Sequence, residues 1–231
     1  KEGLAPLGAD YQQLLQTAYD NRWMDVYENK GKTTGAYSLG VTGVHPFVLL
    51  NYQKTTHDVF TIAHELGHSM HSYFSGKNQP FEKESYTIFV AEVASTTNEV
   101  LLLKYLLAKE KDQNVRKYLL SYFLDMIRTT FYRQAMFAEF EGISHNMVEK
   151  GLPFNYETLS KEYYALNKKY YGDAICHNEE IRYEWARIPH FYRGFYVYKY
   201  ATGITCAVNI ANKILKEGAP AVENYKKFLS T

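Results

Sequence analysis

The 231-residue sequence holds two cysteines, Cys176 and Cys206. A chain of this length can bury a core without disulfides, so their scarcity fits a reducing, cytoplasmic setting better than a secreted scaffold. No apolar run approaches the ~18 residues of a membrane-spanning helix, which excludes a span of that kind. An excess of one charge is also missing. With 26 basic against 25 acidic side chains, well mixed, the net charge is +1. That leaves no footprint for nucleic acid or for an anionic membrane surface. Repeats and low-complexity tracts are absent. So are an initiator methionine and a signal-peptide pattern at Lys1-Glu2-Gly3, and Phe228-Leu229-Ser230-Thr231 carries no closing signal. These ends predict an internal piece of a longer polypeptide.

What is abundant is tyrosine, 22 of them beside 13 phenylalanines. Its apolar body and polar tip suit a polar cleft between helices, and equally suit packing on helix surfaces. Apolar residues recur at helical spacing in most of the chain, as with Tyr11, Leu14, Leu15, Ala18 and Tyr19. The pattern predicts helices over residues 10–27, 57–74, 85–109, 114–141, 156–170, 192–216 and 220–229. Only two segments read as strands, 36–39 and 47–51, set among Gly35, Gly40, Gly43 and Pro46. The fold class is mainly α with one small sheet.

The second of these helices opens at Thr55, which with Asp58 has the spacing of a capping box. It carries His64-Glu65-Leu66-Gly67-His68. Histidines four residues apart share one face of a helix, where two imidazole nitrogens can meet one zinc ion. Glu65 is placed beside such a metal rather than on it, as a general base for an activated water requires. With eight histidines in the chain, a five-residue match can also arise by coincidence, so the surroundings must decide.

A catalytic zinc takes three protein ligands and keeps a position open. His71 shares the face of His64, but seven residues of helix separate them by ~10.5 Å along the axis. It reads as a packing histidine or an outer hydrogen-bond partner. Position 71 is not glycine and position 74 is not histidine, which excludes the metzincin pattern. Glu82 and Glu84 fall in a predicted loop, a poor platform for a rigid site. Glu92 stands mid-helix among small and β-branched residues, where a charge is costly unless paired or metal-bound. The alternative for Glu92 is an ordinary salt bridge. Glu99, seven residues on, suits acceptance of a hydrogen bond from the far nitrogen of a ligand histidine, with a plain surface role as its alternative.

His64 to His71, with Phe89-Val90-Ala91-Glu92-Val93-Ala94-Ser95-Thr96 and Asn98-Glu99, resembles the oligoendopeptidase F branch of the thimet-oligopeptidase-like zinc metallopeptidases. Gly35 to Ser38, Pro46 to Tyr52, Ile188 to Tyr192 and Phe195 to Gly203 carry the same resemblance, which covers essentially the whole chain. It implies a zincin-type metallopeptidase catalytic region over residues 1–231, with the small β-sheet beside the active-site helix and the chain continuing beyond both ends. It implies one Zn²⁺ on His64, His68 and Glu92, with Glu65 as the base. Similar enzymes place a histidine and downstream tyrosines against substrate and oxyanion. That assigns His190 to the peptide backbone and Tyr198 to the oxyanion, with Tyr196 as its rival and Tyr192 and Tyr200 as further partners.

The expected activity is zinc-dependent endopeptidase cleavage of short oligopeptides in the cytoplasm. The strand at 47–51 would add a peptide to its edge, with Gly40 admitting its backbone. Two alternatives stand beside this. A related zinc carboxypeptidase would clamp a free C-terminus with Arg182, Arg187 or Arg193. A peptide-binding fragment would have no activity. Without the flanking helices the isolated chain is expected to be weakly active at most.

Overall fold

The computed structural model describes residues 1–231, which divide into two compact units. The first comprises Lys1–Phe123 and Gly203–Thr231, the second Leu124–Thr202.

The first unit is built on α1 (Ala9–Asp20), α2 (Thr56–Asn78), α3 (Ala91–Lys109), most of α4 (Gln113–Ile127) and α7 (Tyr198–Glu217), and α8 (Ala219–Leu229). Its core includes Leu7, Tyr11, Leu15, Phe60, Met70, Leu101, Leu103 and Leu229. Helix α2 starts where the capping residues direct. The Thr55 hydroxyl accepts from the Asp58 amide at 3.2 Å, and the Asp58 carboxylate accepts the Thr55 amide at 2.8 Å. Such a cap contributes ~1 kcal/mol to the helix.

Three short strands form one sheet in the order β1-β3-β2: β1 (Met24–Asp25), β2 (Tyr37–Leu39) and β3 (Phe47–Leu49). β3 pairs parallel with β1 (Met24 opposite Val48) and antiparallel with β2 (Ser38 opposite Val48). The strand expected to offer its edge to a peptide is therefore central, and the free edges belong to β1 and β2. The sheet docks on α2 through the Ser38 and Ser69 hydroxyls, 2.8 Å apart.

Other boundaries also differ from the periodicity. The first helix ends at Asp20 rather than 27. Arg22 turns left-handed (φ 56°), and the Trp23 amide returns to the Ala18 carbonyl at 3.1 Å. This is a helix-ending motif without the usual glycine, and it releases the chain into the unpredicted β1. The helix expected to break at Gly142 continues to Glu149 as α5 (Arg133–Glu149), joined to α4 by a π-turn at Arg128–Tyr132. A lone mid-helix glycine costs ~1 kcal/mol, and burial of Met136, Phe137, Phe140 and Glu141 holds the helix through it. Gly151 (φ 63°) is the residue that stops it.

The second unit packs α5 against α6 (Tyr156–Tyr171) and a succession of 3₁₀ turns. Met136, Phe137, Phe140, Leu159, Tyr163, Leu166, Ile188 and Val197 form its core. Glu184 ties the 179–187 segment down, accepting from Arg133 and from the Tyr163 hydroxyl, each at 2.6 Å.

Candidate metal centre and aromatic loop

Helices α2 and α3 meet at Gly67. A methyl group there would stand 2.5 Å from the Ser95 Cα and 2.8 Å from the Ala94 carbonyl oxygen, so only glycine permits this approach. The contact brings one turn of α2, with His64 and His68, against the first three turns of α3, with Glu92 and Glu99. On the other side α7 presses Gly203 onto Glu92, where a Cβ would lie 2.6 Å from the Glu92 Cβ.

His64 Nε2 and His68 Nε2 lie 3.2 Å apart, and Glu92 Oε2 lies 3.3 Å from the first and 3.5 Å from the second. Ligands held tetrahedrally at ~2.0–2.1 Å from zinc are separated from one another by about 3.3–3.4 Å. The three donors therefore fit one zinc ion and leave a position open. Glu99 Oε1 stands 2.5 Å from His64 Nδ1. Donation from Nδ1–H to that carboxylate leaves the Nε2 lone pair facing the cluster. Without a metal, burial works against protonation of His64, but Glu99 and Glu92 outweigh it and hold its pKa well above the usual imidazole value. Burial likewise opposes ionisation of Glu92, yet hydrogen bonds from the two histidines keep it ionised, well below the usual carboxylate range. The pocket is thus built to hold positive charge.

Glu65 is buried, and its Oε2 has no hydrogen-bond partner. Burial raises its pKa, against the pull of His64 and His68. An unpaired carboxylate with elevated basicity has the properties of a general base. His71 is fully buried and stacks on Tyr86, ring centroids 3.7 Å apart and nearly parallel, with neither ring nitrogen hydrogen-bonded. It is therefore a packing histidine here, its pKa lowered to about 3 chiefly by burial. Gly40 is pressed against the Ser72 side chain, which a Cβ would meet at 2.8 Å. Its missing side chain lets the loop after β2 close on α2 rather than admitting a ligand backbone. A cavity of about 780 Å³ opens beside that turn of α2, lined by Gly40, His45, Ser72, Lys77, Glu84 and Tyr86 among others.

In the second unit the expected helix at 192–216 begins only at Tyr198. Phe195 is left-handed (φ 55°), and its amide donates to the buried Glu141 carboxylate at 2.6 Å. Buried Ile188 and Val197 anchor the two ends of this loop. Between and after them, His190, Tyr196 and Tyr200 form an aromatic cluster with centroid distances of 5.8, 6.1 and 6.0 Å. Burial, then Lys199 and Arg193, lower the pKa of His190, which favours the neutral ring. Tyr192 is 86% exposed on the loop, and Tyr198 is half-buried at the start of α7. Of the arginines considered as carboxylate clamps, Arg182 pairs with Glu179 and Arg187 with Glu184, while Arg193 lies over the Tyr196 ring.

Two participants had no assigned role in the sequence. The fully buried Asn98 donates to the Ala63 carbonyl at 3.0 Å and accepts from the Tyr11 hydroxyl at 3.0 Å. This fixes α3 and α1 to the turn of α2 that presents His64. The available signal was an amide on an otherwise apolar helix face.

The pattern of peptidase family M3 matches residues 10–231. Over 228 residues the chain is 51% identical to oligopeptidase PepF of Bacillus subtilis, covering 99% of this chain and 34% of that protein. It is 49% identical to an oligoendopeptidase F homolog of Borreliella burgdorferi, covering 100% and 39%. The chain thus spans little more than a third of the length of these relatives. The crystal structure of oligoendopeptidase-F from Enterococcus faecium is similar over 99% of this chain and 34% of its own, with 39% identity and a TM-score of 0.68.

Proposed function

We propose that this chain, which belongs to peptidase family M3, carries the reaction centre of a zinc-dependent endopeptidase that hydrolyses short oligopeptides. The observation that carries this reading is the 3.2–3.5 Å triangle of His64, His68 and Glu92 donor atoms beside an unpaired, buried Glu65 carboxylate. Zinc held there supplies Lewis acidity, making a water more acidic and polarising a peptide carbonyl. Glu65 accepts a proton from the attacking water as the water's oxygen bonds to the carbonyl carbon. The same carboxyl then returns that proton to the leaving amine nitrogen as the C–N bond breaks. General acid–base assistance of this kind is worth about 10²–10⁴-fold in rate. Glu99 keeps His64 in the tautomer that faces the cluster.

Neutral His190 serves the peptide backbone, and a tyrosine of the 196–200 segment serves the oxygen that becomes negative. Donors placed at such an oxygen are worth about 10²–10³-fold each. An extended substrate would pair with the free edge of β2, a mode indifferent to side-chain sequence. The cavity beside Ser72 offers room for its side chains. Two exposed cysteines without a disulfide support a reducing, cytoplasmic setting. The carboxypeptidase alternative is disfavoured because two of its three candidate clamps are already paired to glutamates.

Glu65→Gln tests the mechanism. The variant should retain one zinc per chain by elemental analysis while hydrolysis falls by at least a hundredfold. Mass spectrometry of the products should show internal cleavage of a C-terminally amidated peptide as fast as of its free acid. Full activity in the glutamine variant would refute the role of Glu65, and a strict need for a free carboxylate would return the carboxypeptidase reading.

A further inference from the structure

Glu84 has no task in the mechanism above, yet its surroundings hold it in a fixed place. Its backbone carbonyl accepts from the Ser75 hydroxyl at 2.7 Å, and the Thr42 hydroxyl donates to its Oε1. Two residues further on, the Tyr86 and Ser72 hydroxyls lie 3.2 Å apart and tie the same segment to α2. The loop bearing Glu84 is thus fastened at three points, all within the first unit. Oε2 faces Gly76, where a Cβ would stand 3.5 Å from it. The partner of this carboxylate is a hydroxyl and not a cation, although a carboxylate is bound best by a charged donor.

Glu84 and Gly76 both line the cavity of about 780 Å³. His64, His68, Ser72 and Gly76 follow one another at four-residue steps along one ridge of α2. The cavity therefore continues the face that carries the two candidate ligand histidines. From His68 to Gly76 is ~12 Å of helix, a length that about four residues of extended peptide would span. Leu39 and Val44 bring apolar surface to the wall, Tyr73 and Tyr86 bring rings, and Glu84 is its single carboxylate. That lining suits a long side chain with an apolar stem and a cationic head. Lys77 also reaches the wall, but it is exposed. Its ammonium is screened by solvent and salt, whereas the Glu84 carboxylate is held in place.

We infer that this cavity is a subsite for a lysine or arginine side chain of the substrate, with Glu84 as its specificity-determining residue. This rests on the peptidase reading above and deepens it by naming a substrate class. The preferred peptides carry a basic residue within about four positions of the cleaved bond, on one side of it. Glu84 binds that side chain and takes no part in breaking the bond.

The test uses the zinc-loaded protein as its complete natural polypeptide, with N-acetylated, C-terminally amidated peptides. A single arginine is walked through the positions on either side of the cleaved bond, which mass spectrometry of the products identifies. Citrulline, of the same shape without the charge, is the reference at each position. At one position kcat/KM should favour arginine about tenfold, the worth of one hydrogen bond to a charged group. In Glu84→Gln, whose amide oxygen still accepts from Thr42, that ratio should fall to less than a third of the parent's. A ratio taken within one variant cancels any general loss of activity. Glu84→Lys should instead favour glutamate over glutamine at the same position, and it decides the matter if Glu84→Gln loses its cooperative thermal transition. An arginine preference below threefold at every position in the parent overturns the inference, as does a preference that survives Glu84→Gln. Calorimetric binding of the same peptides to zinc-loaded Glu65→Gln keeps the two claims apart. Hydrolysis surviving in that variant removes the peptidase mechanism, whereas abolished hydrolysis with equal affinity for the arginine and citrulline peptides removes only the present inference.

Discussion

Gly67→Ala would put a methyl carbon 2.5 Å from the Ser95 Cα and 2.8 Å from both the Ala94 carbonyl oxygen and the Ser95 amide nitrogen. All three neighbours are backbone atoms, so no side chain can rotate aside. Carbon atoms in contact settle at ~3.5–4.0 Å, and α3 must therefore retreat from α2 by about 1 Å. Overpacking of this kind costs typically 1–3 kcal/mol, and a rigid backbone obstacle belongs at the upper end. For a unit of 150–250 residues, about 3 kcal/mol lowers the melting temperature by roughly 6–12 °C. The retreat also carries Glu92 and Glu99 away from the histidines. Metal–ligand distances tolerate only about ±0.2 Å, so on the proposed zinc site a displacement of 1 Å removes Glu92 as a ligand or forces it to strain. Zinc affinity should fall at least as far as when an outer partner is lost, about 10–100-fold. Two measurements check this: thermal unfolding of the metal-free protein, and zinc competition against a chelator of known affinity. A Gly67→Ala protein with an unchanged melting temperature and zinc affinity within threefold of the parent would show that the interface yields without moving Glu92, and the account of the α2–α3 contact would fall.

Glu99→Ala should weaken zinc binding about 10–100-fold, because His64 loses the acceptor that fixes its tautomer; chelator competition reads this directly, and unchanged affinity would count against the role given to the 2.5 Å contact. Asn98→Ala leaves the buried Tyr11 hydroxyl without its acceptor, a loss of about 1–3 kcal/mol. Asn98→Ala combined with Tyr11→Phe should recover part of that loss, and denaturant titration of the four proteins would reveal additivity if the two residues were uncoupled.

The legible parts of the fold were those specified within a few neighbouring residues. Thr55 and Asp58 start α2 by bonding each other, and a three-residue spacing is enough to see it. The boundaries that depart from the periodicity depend on partners far along the chain. β1 is two residues long and exists only because the Val48 and Leu50 amides donate to the Trp23 and Asp25 carbonyls. Its own sequence carries no period to detect. α7 starts six residues after the periodicity predicts, for the same reason. Nothing local announces that Phe195 turns left-handed; the device is the Glu141 carboxylate, 54 positions upstream. The edge expected at 47–51 failed similarly, since which strand of a sheet is central is a property of topology rather than of composition.

The site divides along the same line, and the division has a physical origin. Metal ligands are few in kind and demand a fixed spacing on one helix face, so His64 and His68, the proposed pair, are visible as a pattern, and Glu92, the proposed third ligand, follows as a charge in an otherwise small-residue stretch. Lys199 has no such grammar. A lysine in a tyrosine-rich helix reads as a solvated side chain, and only its burial changes that. Once enclosed, its ammonium must spend protons on whatever lies nearby, and the Tyr196 oxygen at 2.8 Å takes one of them. The lysine's meaning therefore arises from packing, and packing also gives it a consequence the ligands lack. A solvated lysine could exchange for methionine with little effect, whereas the enclosed one cannot be exchanged without releasing the Tyr196 hydroxyl to choose another partner.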